Sequence, residues 1–432
     1  MTTTVLDQAV GAALRGVECH PATCRIGLLG VGNVGSAVAR LARDASPAFS
    51  ARGFLPIISS SLVRDASRAR DAHLASPPTG DHDSFFAEPI DVVVEALGGV
   101  EPAFTLVKRA LNRGIPVVTA NKSLIAAHGE ELACLARTRG TALRYEAACI
   151  AGVPFLGTFE RRTLVSRAAG VTAILNGTSN YILTAMTRGG SFEAALADAQ
   201  RLGYAEPDPT MDISGADAAE KLTILVRLFG RLVVDPASIP LEPLSGVEAD
   251  DIAAATAFDG ALRPVSRASW HESSVRAHVG PAFLGSAHSL VRVSGVTNGI
   301  VIDADRGAQC YIGPGAGPDV TAATLLDDVA EVVTERRVRT PNADVVHAAT
   351  AVTQPDSGWF VRLTGAARPS DIADLLGHYG IWCTRLSRRG DRVYLLTCQA
   401  SRGRITAALD AVQAATGVAA AAFPALGEEG SC

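Results

Sequence analysis

Apolar and polar positions in the first third of the chain repeat a strand and helix order. Apolar runs that are typical of buried strands are separated by stretches with helical spacing at residues 103–112 and 124–139. The predicted strands are residues 25–29, 55–63, 91–97, 116–120 and 142–145. Because strands and helices alternate, the pattern predicts an α/β fold with a doubly wound parallel sheet.

A glycine-rich turn follows the first predicted strand, and its sequence is Gly30-Val-Gly32-Asn33-Val34-Gly35. Gly30 permits a tight turn, Gly32 lets the backbone approach a pyrophosphate, and Gly35 allows the next helix to pack closely. A strand before the turn and a helix after it make this a dinucleotide-binding fingerprint. These residues are therefore predicted to bind NAD(P) in a Rossmann-type domain. A glycine-rich turn without a ligand is the alternative.

The end of the second predicted strand bears on the choice of cofactor. Such a strand ordinarily ends in an acidic residue that binds the ribose 2′-hydroxyl, but the end of this one reads Ser59-Ser60-Ser61-Leu62-Val63-Arg64. An arginine without that carboxylate favours a 2′-phosphate, so NADP is expected and NAD is the alternative cofactor. A second interpretation is that Arg64 is a surface residue paired with Asp65.

Small and polar residues also lie where later strands end. Gly98 and Gly99 follow the predicted strand at 91–97, and Thr119 and Lys122 lie at the end of the next one. Ligands bind at this edge of an open parallel sheet, so these residues are predicted to contact the cofactor. A lysine near a helix start is unfavourable unless an anion lies nearby, which favours a functional role for Lys122 over that of an ordinary helix-start residue.

Composition narrows the classes of function. The 432 residues suggest about three folding units, and the 48% hydrophobic and 19% charged residues are typical of globular proteins. A net charge of −5 offers no broad electrostatic footprint for nucleic acid or for an anionic membrane surface. Mean hydropathy is +0.22, but the longest uncharged stretch, residues 168–187, carries polar groups in its middle and is not expected to span a membrane.

Cysteine usage and the first residues indicate the compartment. The eight cysteines include no C-x-x-C pair, so neither a disulfide framework nor a zinc site is indicated. The residues after Met1 have neither the basic start nor the unbroken apolar segment of a secretory signal. A cytoplasmic location is therefore expected.

An acidic block followed by a lysine lies in the middle of the chain. Glu206, Asp208 and Asp212 precede Asp217 and Lys221, which are one helical turn apart. An exposed pair at that spacing would contribute only about 0.2–0.5 kcal/mol and would not account for the three upstream acids. The group predicts a pocket for an amino acid, with carboxylates for its ammonium group and a lysine near a reacting carbonyl.

Two other segments are candidates for ligand contacts. Residues 146–154 form a loop of small residues whose carbonyl oxygens could hold a hard cation, and a simple interdomain turn is the alternative. Residues 174–183 place polar side chains between two apolar segments, which indicates a strand followed by a helix start. There the polar groups either contact a small molecule or cap the helix through Thr178 or Ser179.

The last part of the chain has an order of its own. Its predicted strands are residues 359–363, 381–386, 393–398 and 418–423, and its predicted helices are residues 369–379 and 405–416. The order βαββαβ predicts a ferredoxin-like module.

Six motifs, in order and with matching spacing, resemble those of homoserine dehydrogenase. They are the glycine turn at 30–35 and residues 97–102, 119–122, 145–147, 176–181 and 203–221. The resemblance covers roughly residues 25 to 328, and the acid and lysine block is its most specific part. It implies reversible NAD(P)H-dependent reduction of L-aspartate 4-semialdehyde to L-homoserine, by an oxidoreductase of threonine, methionine and isoleucine biosynthesis.

The resemblance also implies roles for particular residues. Lys221 would be the proton donor, Asp217 would polarise the reacting oxygen with it, and Lys122 would stand beside the nicotinamide and the substrate. The implied substrate-binding residues are Glu206, Asp212, Tyr204 and Thr178. The implied sodium site, contacted mostly through backbone carbonyl groups, comprises Glu146, Cys149, Ala151 and Val153.

The chain departs from the family pattern at three places. Val320 occupies the position at which the family usually has a proline, and Met211 stands where some relatives carry an additional acid. Residues 231–271 are poorly matched, so no functional residue is assigned there. These departures concern local loop geometry more than the chemistry.

The C-terminal module resembles the ACT domain at the end of many homoserine dehydrogenases. Such domains usually pair across subunits and can bind an amino acid, so a homodimer or homotetramer and an effector such as threonine are expected. A packing domain without a ligand is the alternative. The expected division is an N-terminal extension at 1–24, an NAD(P)-binding domain at 25–150, an α+β substrate-binding and dimerisation domain at 151–350, and the ACT-like domain at 357–428.

Two rival functions use the same residues. One is a dehydrogenase for a different amino-acid aldehyde. The other is a non-catalytic amino-acid sensor, in which the dehydrogenase body only supports the C-terminal module. The presence of Lys122, Asp217 and Lys221 argues against the sensor.

Overall fold

The structure is a computed structural model that describes residues 21–67, 74, 76–160, 168–334, 346–365 and 368–427. Most of the expected N-terminal extension, residues 1–24, lies outside the described residues. The described chain divides into two compact units. The first comprises the residues up to Asn121, Glu131–Tyr145 and the helix that begins at Pro318, and the second comprises the rest.

The strands of the described residues are β1 Ala22–Leu29, β2 Phe54–Leu62, β3 Val92–Glu95, β4 Val117–Thr119, β5 Leu143–Arg144, β6 Ala168–Ile174, β7 Leu232–Val233, β8 Gly260–His271, β9 Ser274–Gly285, β10 Thr297–Ala304, β11 Gly307–Pro314, β12 His347–Ala348, β13 Ala351–Thr353, β14 Gly358–Thr364, β15 Cys383–Arg389, β16 Arg392–Thr397 and β17 Ala419–Leu426.

The α-helices of the same residues are α1 Asn33–Asp44, α2 Ser46–Ala51, α3 His82–Ala87, α4 Ala103–Asn112, α5 Lys122–Thr138, α6 Leu156–Glu160, α7 Gly177–Met186, α8 Phe192–Arg201, α9 Thr210–Ile213, α10 Ala216–Leu225, α11 Ala249–Ala257, α12 Pro318–Thr334, α13 Pro369–His378 and α14 Arg402–Thr416.

The first unit is built on a sheet of five parallel strands in the order β2-β1-β3-β4-β5. Its central strands carry continuous apolar runs, and Val92, Val93 and Val94 are completely buried. Parallel strands covered on both faces require such continuous apolar runs. The predicted doubly wound parallel sheet is confirmed.

Helix α12 belongs to the first unit, although in sequence it lies between β11 and β12 of the second unit. It packs against α1 and against β3 and β4, and Asp319 near its start forms an ion pair with Arg40 of α1. Leu325, Leu326 and Val329 on its apolar face are buried. This division differs from the expected one, which placed residues 151–350 in a single domain, because helical periodicity does not specify which sheet a helix covers.

The second unit contains a ten-stranded mixed sheet among its described residues. The strand order is β11-β10-β6-β8-β9-β17-β14-β16-β15, and β13 also pairs with β9. The strands from β11 to β9 are antiparallel neighbours, whereas β17 runs parallel to β9. The uncharged stretch at 168–187 divides into β6 and α7. In the part of the chain that the structure describes, no helix is both long and apolar enough to cross a membrane.

The C-terminal elements have the predicted order βαββαβ, from β14 to β17. One face of their strands is covered by their own helices, because Trp359, Val361 and Leu363 pack against apolar residues of α13 and α14. The other face carries Phe360, which is fully buried in a different core. This second core consists mainly of side chains from earlier elements of the second unit.

Phe360 lies at the centre of that shared core. Its ring stacks on Phe283 at 5.2 Å and on Tyr394 at 5.7 Å, and meets Phe258 edge to face at 5.7 Å. Phe283 belongs to β9 and Phe258 immediately follows α11. The C-terminal elements therefore contact the earlier elements of the second unit through this apolar core, as well as through the pairing of β17 with β9.

We expect Phe360→Ala to lower the free energy of unfolding by about 3–5 kcal/mol, because a fully buried aromatic side chain is lost and a cavity remains. The check is urea unfolding followed by circular dichroism, with Trp382→Ala as the control. Trp382 is 62% exposed, so its loss should change the free energy of unfolding by no more than about 0.5 kcal/mol. A Phe360→Ala transition at the wild-type midpoint would contradict the shared core.

Candidate active site

The predicted nucleotide-binding turn lies between β1 and α1. Gly30 has a φ of +94°, and a Cβ added to it would lie 2.7 Å from the carbonyl oxygen of Ala96. A Cβ on Gly35 would lie 2.0 Å from the carbonyl oxygen of Gly30. Both positions therefore require glycine. Nothing lies within 4 Å of a Cβ added to Gly32, so this side of the turn is open.

Helix α1 begins at this open side of the turn. Gly32 occupies its N-cap position and provides no side-chain hydrogen bond. Asn33 is exposed and Val34 is half-buried in the first turn. Uncapped N–H groups at a helix start are suited to bind phosphate oxygens, so the turn fits the pyrophosphate of a dinucleotide.

A buried acid organises the loops that follow β3 and β4. Glu95 is completely buried, and its carboxylate accepts hydrogen bonds from Leu97 N at 2.8 Å and from the hydroxyl of Thr119. Asn121 Nδ2 lies 3.3 Å from the same carboxylate and 2.6 Å from the carbonyl oxygen of Gly99. Burial raises the pKa of Glu95 above its usual range. Thr119, predicted to contact the cofactor, is itself buried and directs its hydroxyl to Glu95.

The remaining predicted cofactor residues of the first unit lie at the carboxyl edge of the sheet or beyond it. Gly98 and Gly99 both have positive φ, +75° and +71°, in the loop after β3. Arg64 is exposed two residues after β2 ends. Asp65, the alternative partner of Arg64, accepts hydrogen bonds from Ser67 N at 2.9 Å and Ser67 Oγ at 2.6 Å.

The second unit brings the predicted catalytic residues together around one carboxylate. Asp217 Oδ1 lies 3.0 Å from Lys122 Nζ, and its Oδ2 lies 3.0 Å from Lys221 Nζ. Lys221 Nζ also donates to the carbonyl oxygen of Leu175 at 2.9 Å. Asp217 and Lys221 are one turn apart on α10, and Lys122 is the first residue of α5. The anion expected near that helix start is therefore Asp217.

The electrostatics of the cluster follow from burial and pairing. Burial alone would raise the pKa of Asp217, but Lys221 and Lys122 outweigh it and hold that pKa well below its usual range. Burial disfavours the charged form of Lys122, yet Asp217 outweighs this effect and raises the pKa of Lys122. At neutral pH Asp217 is therefore ionised and Lys122 carries its proton.

Asp212 lies beside Asp217, and Asn176 holds it there. Asn176 Nδ2 donates to Asp212 Oδ1 at 2.7 Å and to Asp217 Oδ2 at 2.9 Å. Asp212 is half-buried, and burial raises its pKa, with a further rise from the nearby Asp217 carboxylate. Two acids with opposite pKa shifts thus occupy one site.

The other predicted substrate residues are Thr178, Tyr204 and Glu206, and the side chain of Thr178 also bonds to Asp212, which lowers the pKa of that acid. Thr178 Oγ1 donates to the carbonyl oxygen of Tyr204 at 2.6 Å. The side chain of Glu206 is exposed, and its carbonyl oxygen accepts a hydrogen bond from Gln200 Nε2 at 3.2 Å. The structure therefore brings Thr178 and Tyr204 together. Glu206 joins neither this contact nor the described cluster around Asp217 through its side chain.

The cap of α7 is neither of the two residues named from the sequence. The side chain that accepts from Ser179 N, at 2.8 Å, is that of Asn176, not that of Thr178 or Ser179. Asn176 and Glu95 are the site residues that sequence reasoning missed. A signal existed for Asn176, because asparagine just before a helix is a preferred cap. An acid at the end of an apolar run gives no signal that separates Glu95 from an ordinary loop residue.

The predicted sodium loop follows β5. Both carboxylate oxygens of Glu146 are used, since they accept from Leu156 N at 2.8 Å and Gly157 N at 2.7 Å. Cys149, Ala151 and Val153 are buried, and burial raises the pKa of the Cys149 thiol to about 12. The carbonyl oxygens of Glu146 and Val153 likewise accept hydrogen bonds, from Cys149 N at 3.4 Å and from Phe155 N at 2.9 Å. Among the described residues, no three His, Cys, Asp or Glu side chains are grouped to hold a metal ion.

Two family models match the chain. The model described as homoserine dehydrogenase, NAD binding domain, matches residues 30–146, and that described as homoserine dehydrogenase matches residues 154–330. A homoserine dehydrogenase from Pseudomonas aeruginosa is 30% identical over 417 residues, which is 91% of this chain and 96% of that protein. One from Lactococcus lactis is 39% identical over 246 residues, which is 56% of this chain and only 58% of that protein.

Solved structures of homoserine dehydrogenases also match the chain. A homoserine dehydrogenase from Thiobacillus denitrificans matches with a TM-score of 0.84 and 29% identity, over 94% of this chain and 99% of that chain. A hyperthermophilic archaeal homoserine dehydrogenase in complex with NADPH matches with a TM-score of 0.61 and 26% identity, over 73% of this chain and all of that one. This chain belongs to the homoserine dehydrogenase family.

Proposed function

We propose that the chain is an oxidoreductase that catalyses reversible NAD(P)H-dependent reduction of L-aspartate 4-semialdehyde to L-homoserine. The observation that carries this proposal is the Asp217 carboxylate held between Lys122 and Lys221, with Asp212 beside it, in a member of this family. A non-catalytic amino-acid sensor of this family would not need two lysines on one buried carboxylate. The activity places the chain in threonine, methionine and isoleucine biosynthesis, with a cytoplasmic location as expected from the sequence.

The protein's own groups stabilise the charge that develops in the reaction. When bound, the reduced nicotinamide supplies the hydride that the aldehyde carbon accepts. The aldehyde oxygen then gains negative charge and needs a proton. Lys221, fixed by Asp217 and the Leu175 carbonyl, donates it, and in the reverse direction Lys221 receives the proton of the homoserine hydroxyl. Lys122 and Asp217 stay charged and orient the reacting oxygen.

Recognition of the amino-acid end of the substrate is proposed for the acids and hydroxyls nearby. Asp212 supplies a carboxylate for the ammonium group, and Glu206, being exposed, is free to turn toward the same group. Tyr204 provides a hydroxyl group for the substrate carboxylate, and Thr178 provides a second one when its hydroxyl turns away from the carbonyl oxygen of Tyr204.

For the cofactor we propose NADP, with NAD as the alternative. The glycine turn around Gly32 accepts a pyrophosphate, and Arg64 after β2 supplies a cation where an acid would select NAD. Gly98, Gly99 and Lys122 are proposed to contact the nicotinamide end. The archaeal relative described above is a complex with NADPH, which supports the same preference.

A sodium ion and a regulated oligomer complete the proposal. The loop of Glu146, Cys149, Ala151 and Val153, of which the last three residues are buried, offers carbonyl oxygens, the ligand type that hard cations prefer. The βαββαβ elements support an ACT-like role at residues 357–428, with assembly as a homodimer or homotetramer and an amino-acid effector such as threonine.

We expect Lys221→Ala to reduce kcat for NADPH-dependent consumption of aspartate semialdehyde by about 10²–10⁴-fold, the usual contribution of a positioned proton donor. The matched control is Lys108→Ala, because Lys108 forms an ion pair with Glu131 in the first unit, 2.6 Å apart, outside the cluster. Near-normal turnover by Lys221→Ala would show that another group donates the proton. Wild-type protein that binds an amino acid without turnover would support the sensor instead.

We expect Arg64→Asp to shift cofactor preference from NADP toward NAD. A charge-assisted hydrogen bond to the 2′-phosphate contributes about 1.5–3 kcal/mol, so the ratio of kcat/KM for NADPH to that for NADH should fall at least about tenfold. The charge-matched control is Arg389→Asp, an exposed position in the C-terminal elements. An unchanged ratio in Arg64→Asp would leave Arg64 as a surface residue.

A further inference from the structure

Asn176 connects Asp212 and Asp217 through its side-chain amide. It lies between β6 and α7 and is 6% exposed. Its two N–H bonds go to different carboxylates, Asp212 at 2.7 Å and Asp217 at 2.9 Å, while its oxygen accepts from Ser179 N at 2.8 Å. Because a primary amide nitrogen carries two hydrogens, both are committed to these acids.

Helix capping alone does not account for an asparagine here. Serine, threonine and aspartate also accept the N–H bond at a helix start. None of these three residue types can also donate two hydrogen bonds to two carboxylates, whereas asparagine can. The first turn of α7 fixes the backbone of Asp212 as well, since Ser179 Oγ donates to its carbonyl oxygen at 2.8 Å.

The two carboxylates differ in how their charge is balanced. Asp217 has Lys122 and Lys221 at 3.0 Å, and Glu220 on the same helix faces Lys122 as a further acid. Asp212 has no lysine at that distance among the described residues. Its ionised form is disfavoured by burial and Asp217, and favoured by the Asn176 amide, by the charges of Lys221 and Lys122 and by Thr178.

We propose that Asn176 is a positioning residue that holds Asp212 and Asp217 side by side and keeps Asp212 a carboxylate for the substrate ammonium group. This inference rests on the proposed function, because it requires an amino-acid substrate. Without the amide, Asp212 is expected to protonate at a higher pH, so that ammonium binding weakens as pH falls. Loss of the amide is therefore expected to change KM for the substrate, whereas the proton transfer by Lys221 is expected to determine kcat.

The test uses Asn176→Ser and Asn176→Asp, which both keep an oxygen to cap α7. Homoserine oxidation is measured across pH for each. For Asn176→Ser we expect KM for homoserine to rise about tenfold, the usual effect of losing a hydrogen bond to a charged group, with KM for the cofactor within about twofold of wild type. The acid limb of kcat/KM should move to higher pH, and further in Asn176→Asp, which adds a third carboxylate.

The control is Asn112→Ser, at an exposed asparagine whose side-chain oxygen accepts from Arg139 at 2.9 Å in the first unit. A profile of Asn176→Ser that superimposes on that of wild type would overturn the positioning role. If the wild-type chain binds homoserine without oxidising it, the proposed function fails, and the same pH shift must then appear in the Kd from calorimetry. If it does not bind homoserine, both the proposed function and this inference are wrong.

Discussion

The buried carboxylate of Asp217 holds the second unit's site in one arrangement. Three donors meet on it, from Lys122 at the start of α5, from Lys221 one turn along α10, and from Asn176 before α7. Each comes from a different element. Removing one partner from a buried ion pair typically costs about 3–5 kcal/mol, so the positions of these elements are tied to one another. The same carboxylate balances the positive charge of both lysines.

Part of this site follows from sequence. Asp217 and Lys221 are four residues apart on a helix, which places them on one face, and the lysine at a helix start requires an anion. The part of the site that the sequence did not reveal depends on contacts between residues far apart in the chain. That Asn176 donates to Asp212 and Asp217 depends on how a loop before α7 meets the start of α10, and no local pattern encodes it. The same reason explains why Glu95 was missed, since its hydrogen-bond partners lie in the loop after β3 and at the end of β4.

The fold shows the same division between local and long-range information. The predicted strands of the first sheet agree with β1 to β5 within a few residues, because each is a continuous apolar run. The βαββαβ order was likewise predicted from local periodicity. The sequence did not reveal that α12 covers the first sheet or that Phe360 packs on Phe283 and Phe258. Periodicity shows which face is apolar but not which element covers it.

The acids and lysines of this site are proposed to support reduction of an aldehyde to an alcohol by a nicotinamide cofactor. The most direct measurement follows a deuterium label from the transferable position of reduced NADP into the product by mass spectrometry and NMR. With aspartate semialdehyde as substrate, we expect homoserine with one deuterium on the carbon that bears the new hydroxyl group. Unlabelled homoserine, or no homoserine at all, would contradict it.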